Sequence, residues 1–154
     1  MKINWKRLII ITIITFVVGS FFSFFTMNGM ATFSELKKPF EIPGIIFPIV
    51  WSILYLLMSI SCYLITETNN IETDKAIFIY GIQLIVNSVW TLIFFGFNAY
   101  LFAFIWLLFL LVLIVIMIVE FNKINKKAAY LNIPYLLWVV FAGYLNLSIY
   151  LLNR

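Results

Sequence analysis

Three stretches of this chain carry polar and aromatic side chains at one helical spacing inside otherwise apolar sequence. Gln83, Asn87 and Trp90 stand at i, i+4 and i+7, as do Trp51, Tyr55 and Met58. Pro134, Trp138, Ala142 and Asn146 continue the pattern every fourth residue. Residues so spaced share one helix face. The chemistry such faces offer is recognition: indoles wall a flat ring and a few amides orient it. Indole is also among the most readily oxidised side chains. Other chemistries lack their residues. The chain has no histidine and one cysteine, Cys62, inside an apolar run. A zinc, copper or histidine-ligated haem site is therefore not expected, nor is any cofactor. No nucleophile is paired with a base, and there is no phosphate-binding glycine loop, so a hydrolase or transferase is not expected.

The elements that hold these faces follow from composition. The 154 residues are 65% hydrophobic and 10% charged, outside the range of a soluble domain. An all-helical integral membrane protein is implied, because each apolar run is continuous and does not alternate as spanning strands do. A crossing takes roughly 20 residues, so the chain has room for about five. The expected segments are about 5–27, 44–66, 75–95, 100–121 and 129–152, in one domain over residues 1–154. A signal peptide is set aside because the first run continues through SFFSFF without a small-residue cleavage site. Short links make sequential helices antiparallel neighbours in a bundle.

The six acidic residues lie at segment ends or in loops, which argues against a proton relay through the membrane centre. The net charge of +4 reads as an orientation signal, with no call for nucleic acid. Lys2, Lys6, Arg7, Lys75, Lys123, Lys126 and Lys127 would share one side, and Lys37, Lys38 and Arg154 the other. That asymmetry puts the N-terminus in the cytoplasm and the 28–43 connection outside. No internal repeat is evident, which disfavours a transporter built on repeated halves. Gly19-x3-Ser23 and Ala99-x3-Ala103 are small-xxx-small patterns that can seat helix contacts.

An amide in hydrocarbon must find a partner, so the three faces point into the bundle. The plainer alternative is that Asn and Gln only tie helices together and Trp only fills space. At about 1.5 Å of rise per residue, Trp51 and Asn146 lie roughly 10 Å below the outer end of their segments, and Trp138 roughly 10 Å deeper. Asn87, Tyr55 and Ala142 fall near the midplane. The faces outline a slot from the outer leaflet to the middle, with Ala142 leaving room for a flat ring of porphyrin size. Asn87 would bond the ligand, and Gln83, deeper, would tie helices. Beyond Lys6, Arg7 and Lys75 at segment ends, no Lys or Arg lies within the segments, so any carboxylates on such a ring would stay near Lys37 and Lys38.

The sequence resembles the TspO/MBR family of tryptophan-rich sensory and translocator proteins. The likeness rests on LKKP at Leu36–Pro39 and PGIIFPIVWSILYLLM at Pro43–Met58. It rests further on Gln83, Asn87, Trp90, FFG at Phe94–Gly96, and PYLLWVVFAGYLN at Pro134–Asn146. The resemblance implies a five-helix, often dimeric membrane protein that binds porphyrins and haem-pathway intermediates, synthetic ligands and, in animal members, cholesterol. It implies pocket positions at Trp51, Asn87, Trp138 and Ala142, and the family's Leu-Asn pair at Asn146. Light-dependent porphyrin breakdown in some bacterial members gives Trp51 and Trp138 an expected catalytic part, touching opposite ends of one ring. The function expected is thus a receptor or sensor for metal-free tetrapyrroles in a bacterial cell membrane, with transport of tetrapyrroles as the alternative. Two departures stand out. Ile42-Pro43 and Ile45 replace the family's Pro-Pro and following Trp. Thr32-Phe33 replaces a frequent Trp-Tyr, leaving a less aromatic lid. A sterol-type pattern fits Leu147, Tyr150 and Arg154 poorly, and cholesterol is not expected.

Overall fold

A computed structural model describes residues 3–154. Its elements are α1 (Trp5–Gly19), a 3-10 turn (Phe21–Ser23), α2 (Gly29–Glu35), α3 (Ile46–Thr66) and α4 (Thr73–Thr91). A π-turn over Leu92–Gly96 extends α4, and α5 (Tyr100–Ile124), α6 (Lys126–Tyr130) and α7 (Ile133–Leu152) follow. No strand occurs among the described residues.

Four stretches are long and apolar enough to cross a membrane: Ile46–Thr66, Thr73–Gly96, Tyr100–Ile124 and Lys126–Leu152, of 21, 24, 25 and 27 residues. At about 1.5 Å per residue these reach roughly 32–40 Å, enough for a hydrocarbon core of about 30 Å. The first segment departs from expectation. α1 ends at Gly19 after 15 residues, about 22 Å, instead of continuing to Met27. The cause is local. A Cβ on Gly19 would stand 2.6 Å from the Tyr55 ring, so the closest approach of α1 to α3 requires glycine there. The Ser20 hydroxyl then donates back to the Phe16 carbonyl at 2.6 Å, and the chain tightens into the 3-10 turn.

The 28–43 connection holds a second departure, since it folds into α2 and buries Phe33 at 4% exposure. The last segment is broken too. Asn125 accepts from the backbone N–H groups of Lys127 and Ala128 to start α6. α7 begins anew at Ile133 with Pro134 in its first turn, where a missing N–H costs nothing.

α1 packs along α3 and α4, α4 along α5, and α5 along α7. Met58, Leu110, Ile114, Met117, Phe121 and Tyr135 close the centre with no exposure. Outward, α5 presents Phe102, Ile105, Phe109 and Val112, an apolar surface suited to lipid.

The ends of the bundle sort the charges. Arg7 on α1 pairs with Glu67 after α3 at 2.6 Å. Glu120 lies between Lys75 of α4 at 3.2 Å and Lys123 at 2.8 Å. At the opposite end the Lys37 N–H donates to Asn153 Oδ1, and Asn153 Nδ2 donates to the Lys37 carbonyl. The N-terminal flank and the loop before Lys75 are therefore on one end, and the 28–43 connection and the C-terminus on the other. Lys2, counted with the first group, lies outside the described residues.

Candidate functional site

A cavity of about 690 Å³ lies between α1, the 3-10 turn, α2 and the facing ends of α3 and α4. Three of the residues singled out by spacing line it: Trp51, Tyr55 and Trp90. Trp51 and Tyr55 lie one turn apart on α3, with ring centroids 5.5 Å apart and planes tilted by 32°. Their side chains share a face because the spacing is four residues.

Two polar atoms of this wall, Tyr55 Oη and Trp90 Nε1, are bonded within the protein. Tyr55 Oη donates to the Gly19 carbonyl at 2.8 Å and accepts from Asn87 Nδ2 at 3.2 Å. Trp90 Nε1 donates to Asn146 Oδ1 at 3.2 Å, and Asn146 Nδ2 donates to the Tyr100 carbonyl at 2.7 Å. One hydroxyl thus joins α1, α3 and α4, and one amide joins α4, α5 and α7. Asn87, at 2% exposure, sits behind Tyr55 and does not line the cavity. Its Oδ1 finds no partner. One turn away, Gln83 accepts from Tyr135 Oη at 2.8 Å, tying α4 to α7.

Trp138, Ala142 and Asn146 fall outside the cavity as well. Trp138 is half-buried, with its indole N–H unpartnered, between Phe47 at 6.1 Å and Phe141 at 5.3 Å. Phe47 lines the cavity in front of it. Ala142 and Asn146 border a separate void of about 10 Å³, with Phe33, Phe47, Trp90, Phe94 and Phe95 among its walls. The room expected beside Ala142 is taken up by phenylalanine rings. Trp51 and Trp138 therefore do not line one common space in this conformation.

The two lysines also part company. Lys38 Nζ donates to the carbonyls of Phe33, Ser34 and Leu36 at 2.9, 3.3 and 3.0 Å. It also lies 4.8 Å from the centre of the Phe33 ring. All three ammonium donors are spent closing the C-terminal end of α2. Lys37 is exposed, and its backbone alone is engaged, with Asn153.

Spacing arguments missed the α1 side of the cavity. Phe16, Ser20, Ser23, Thr26, Met27 and Met30 form that wall. The available signal is the pair Ser20 and Ser23 in an apolar run, of which the small-residue pattern takes in only Ser23, with Gly19. Two of the hydroxyls are already engaged: Ser20 and Thr26 donate to the Phe16 and Phe22 carbonyls four residues back. No cluster of metal-ligating side chains occurs among the described residues. The arrangement offers aromatic faces against which a flat apolar molecule can stack.

Residues 10–152 match the TspO/MBR family. Protein CrtK of Rhodobacter capsulatus is 34% identical over 127 residues, which cover 80% of this chain and 79% of that protein. The tryptophan-rich protein TspO of Archaeoglobus fulgidus is 31% identical over 152 residues, 97% of this chain and 99% of its own. The human translocator protein is 30% identical over 127 residues, covering 80% of this chain and 75% of its own. The match takes in every long helix and both indoles of the cavity wall, so this helical membrane protein belongs to the TspO/MBR family.

Proposed function

We propose that this chain is a membrane receptor or sensor for metal-free tetrapyrroles, held in the cavity between α1, α3 and α4. The observation that carries the reading is the cavity itself. Its volume of about 690 Å³ falls within the roughly 300–1,000 Å³ of drug-sized ligand sites, and Trp51, Tyr55 and Trp90 supply its aromatic wall. With Tyr55 Oη and Trp90 Nε1 already bonded inside the protein, the wall offers faces and edges for stacking. Ring carboxylates stay at the rim, on the end of the bundle that carries Lys37.

A light-dependent loss of the bound porphyrin is part of the proposal. The illuminated ring is the photosensitiser, dioxygen the oxidant and Trp51 the indole in reach. The protein supplies placement and shielding while the photochemistry belongs to the ligand. Trp138, behind Phe47, is a secondary participant.

The same reading makes α1 and the 3-10 turn a fifth crossing, anchored by Trp5 near one interface. The N-terminus is cytoplasmic in a bacterial cell membrane, by the Lys and Arg asymmetry. A homodimer is proposed from the family resemblance.

The test is a tryptophan-fluorescence quenching titration of purified protein with metal-free porphyrin, haem and a sterol in parallel. Saturable quenching by the metal-free porphyrin, lowered by Trp51→Ala, is the expected result. A linear, unsaturable response to all three ligands refutes the reading.

A further inference from the structure

We infer that Gln83 and Tyr135 are positioning residues: through the Tyr135 ring they hold the Trp51 indole at the angle it presents to a ligand. The inference deepens the proposed site and rests on that reading for the ligand alone.

Neither residue lines the cavity, and both have no exposure. Tyr135 Oη donates to Gln83 Oε1 at 2.8 Å, the one hydrogen bond of either side chain among the described residues. Gln83 Nε2 has no partner within the protein. The bond crosses the bundle from α4 to α7, two helices that do not pack along one another. On the other side of Tyr135 stands Trp51 of α3, edge to face, with ring centroids 6.2 Å apart. Three helices thus meet in the order Gln83, Tyr135, Trp51, and of the three residues only Trp51 lines the cavity.

Stability does not account for the pair. A buried amide with one group unpaired carries a desolvation cost, and an apolar pair of the same shape in its place is nearly neutral or stabilising. What a buried bond adds is direction, because donor and acceptor are held at a set distance and angle. A tyrosine so anchored keeps its edge toward Trp51. The second neighbour of Trp51 needs no such anchor. Tyr55 lies one turn along the same helix and also packs against Phe16 at 5.5 Å, so its ring stays in place without its hydroxyl. Tyr135 comes from a different helix, and Trp51 is the one aromatic ring against it among the described residues. Stacking on an indole depends on the angle between the planes. Gln83 and Tyr135 therefore set, from behind the wall, which ligand plane fits against Trp51.

The test removes the bond without leaving an orphan: Gln83→Met together with Tyr135→Phe, in the full chain carrying 5-fluorotryptophan. The Trp51 fluorine signal, assigned with Trp51→Phe, should move by more than its linewidth, while that of Trp5 stays. The control is a second buried tyrosine bond between helices, Thr15 with Tyr80 at 2.6 Å, removed by Thr15→Val together with Tyr80→Phe. The Tyr80 ring lies against Phe121 and not against Trp51, so the Trp51 signal should keep its place there. In a second arm, metal-free porphyrin should bind the Gln83→Met, Tyr135→Phe chain about threefold or more weakly than the parent. An unmoved Trp51 signal overturns the inference. Equal movement in the control pair overturns it too, since the bond would then only support the fold. Equal porphyrin affinity in the parent and the Gln83→Met, Tyr135→Phe chain overturns it as well. If the double variant does not fold, Tyr135→Phe alone decides by the same readouts. Absence of saturable porphyrin binding in every chain, the parent included, refutes the tetrapyrrole reading and leaves the fluorine signal to judge the positioning.

Discussion

Replacing Tyr55 with Phe removes one oxygen and leaves the ring against the cavity. That oxygen carries two buried bonds, to the Gly19 carbonyl at 2.8 Å and from Asn87 Nδ2 at 3.2 Å. Asn87 already has an unpartnered Oδ1, so Tyr55→Phe leaves its whole amide unpaired at 2% exposure. An unsatisfied buried group costs about 1–3 kcal/mol. Hydrogen bonds between membrane helices are worth less, about 0.6 kcal/mol on average. With two groups affected and almost no cavity created, the expected loss is about 1–2 kcal/mol. That is roughly a tenfold shift in the folding equilibrium. Porphyrin affinity should change by no more than about twofold, because the stacking face remains and the hydroxyl points elsewhere. Unfolding in a detergent-to-SDS titration and fluorescence quenching measure the two quantities separately. Unchanged stability would show that the hydroxyl does not join α1, α3 and α4 as described. A tenfold loss of affinity at unchanged stability would place the hydroxyl on the ligand instead.

Three further outcomes follow from the same geometry. At matched porphyrin occupancy under illumination, Trp51→Phe should slow product formation more than Trp138→Phe; a larger effect from Trp138 would mean that the ring sits behind Phe47. Lys38→Gln removes three donors from the end of α2, so it should weaken binding of a dicarboxylic porphyrin and of its ester alike. Lys37→Gln should weaken only the acid, and selective loss of the acid in Lys38→Gln would restore Lys38 as its charge partner. For orientation, single cysteines at Asn28 and Lys126 in a Cys62→Ser background are labelled in intact cells with an impermeant thiol reagent. Labelling at 28 and not at 126 is expected, and the reverse pattern inverts the topology.

The membrane class, the four long apolar helices and the faces carrying Trp51, Asn87, Trp90 and Asn146 were legible in the sequence. Composition and i, i+4 spacing are local properties that survive any arrangement of the helices. The pairing of Gln83 with another helix could be read as well, because a buried amide in an apolar segment must find a partner. Which partner it finds was not legible. Tyr135 for Gln83, Tyr55 for Asn87 and Trp90 for Asn146 depend on how each helix is rotated and how closely its neighbours approach. Segment spacing carries neither quantity. The end of α1 at Gly19 was hidden for the same reason, since the glycine answers to the Tyr55 ring across the bundle and the apolar run itself gives no stop. Phe33 was the least visible of all. In a polar connection one phenylalanine has no periodicity to betray burial. Only the docking of α2 on the π-turn puts its ring between Phe47 and Phe95.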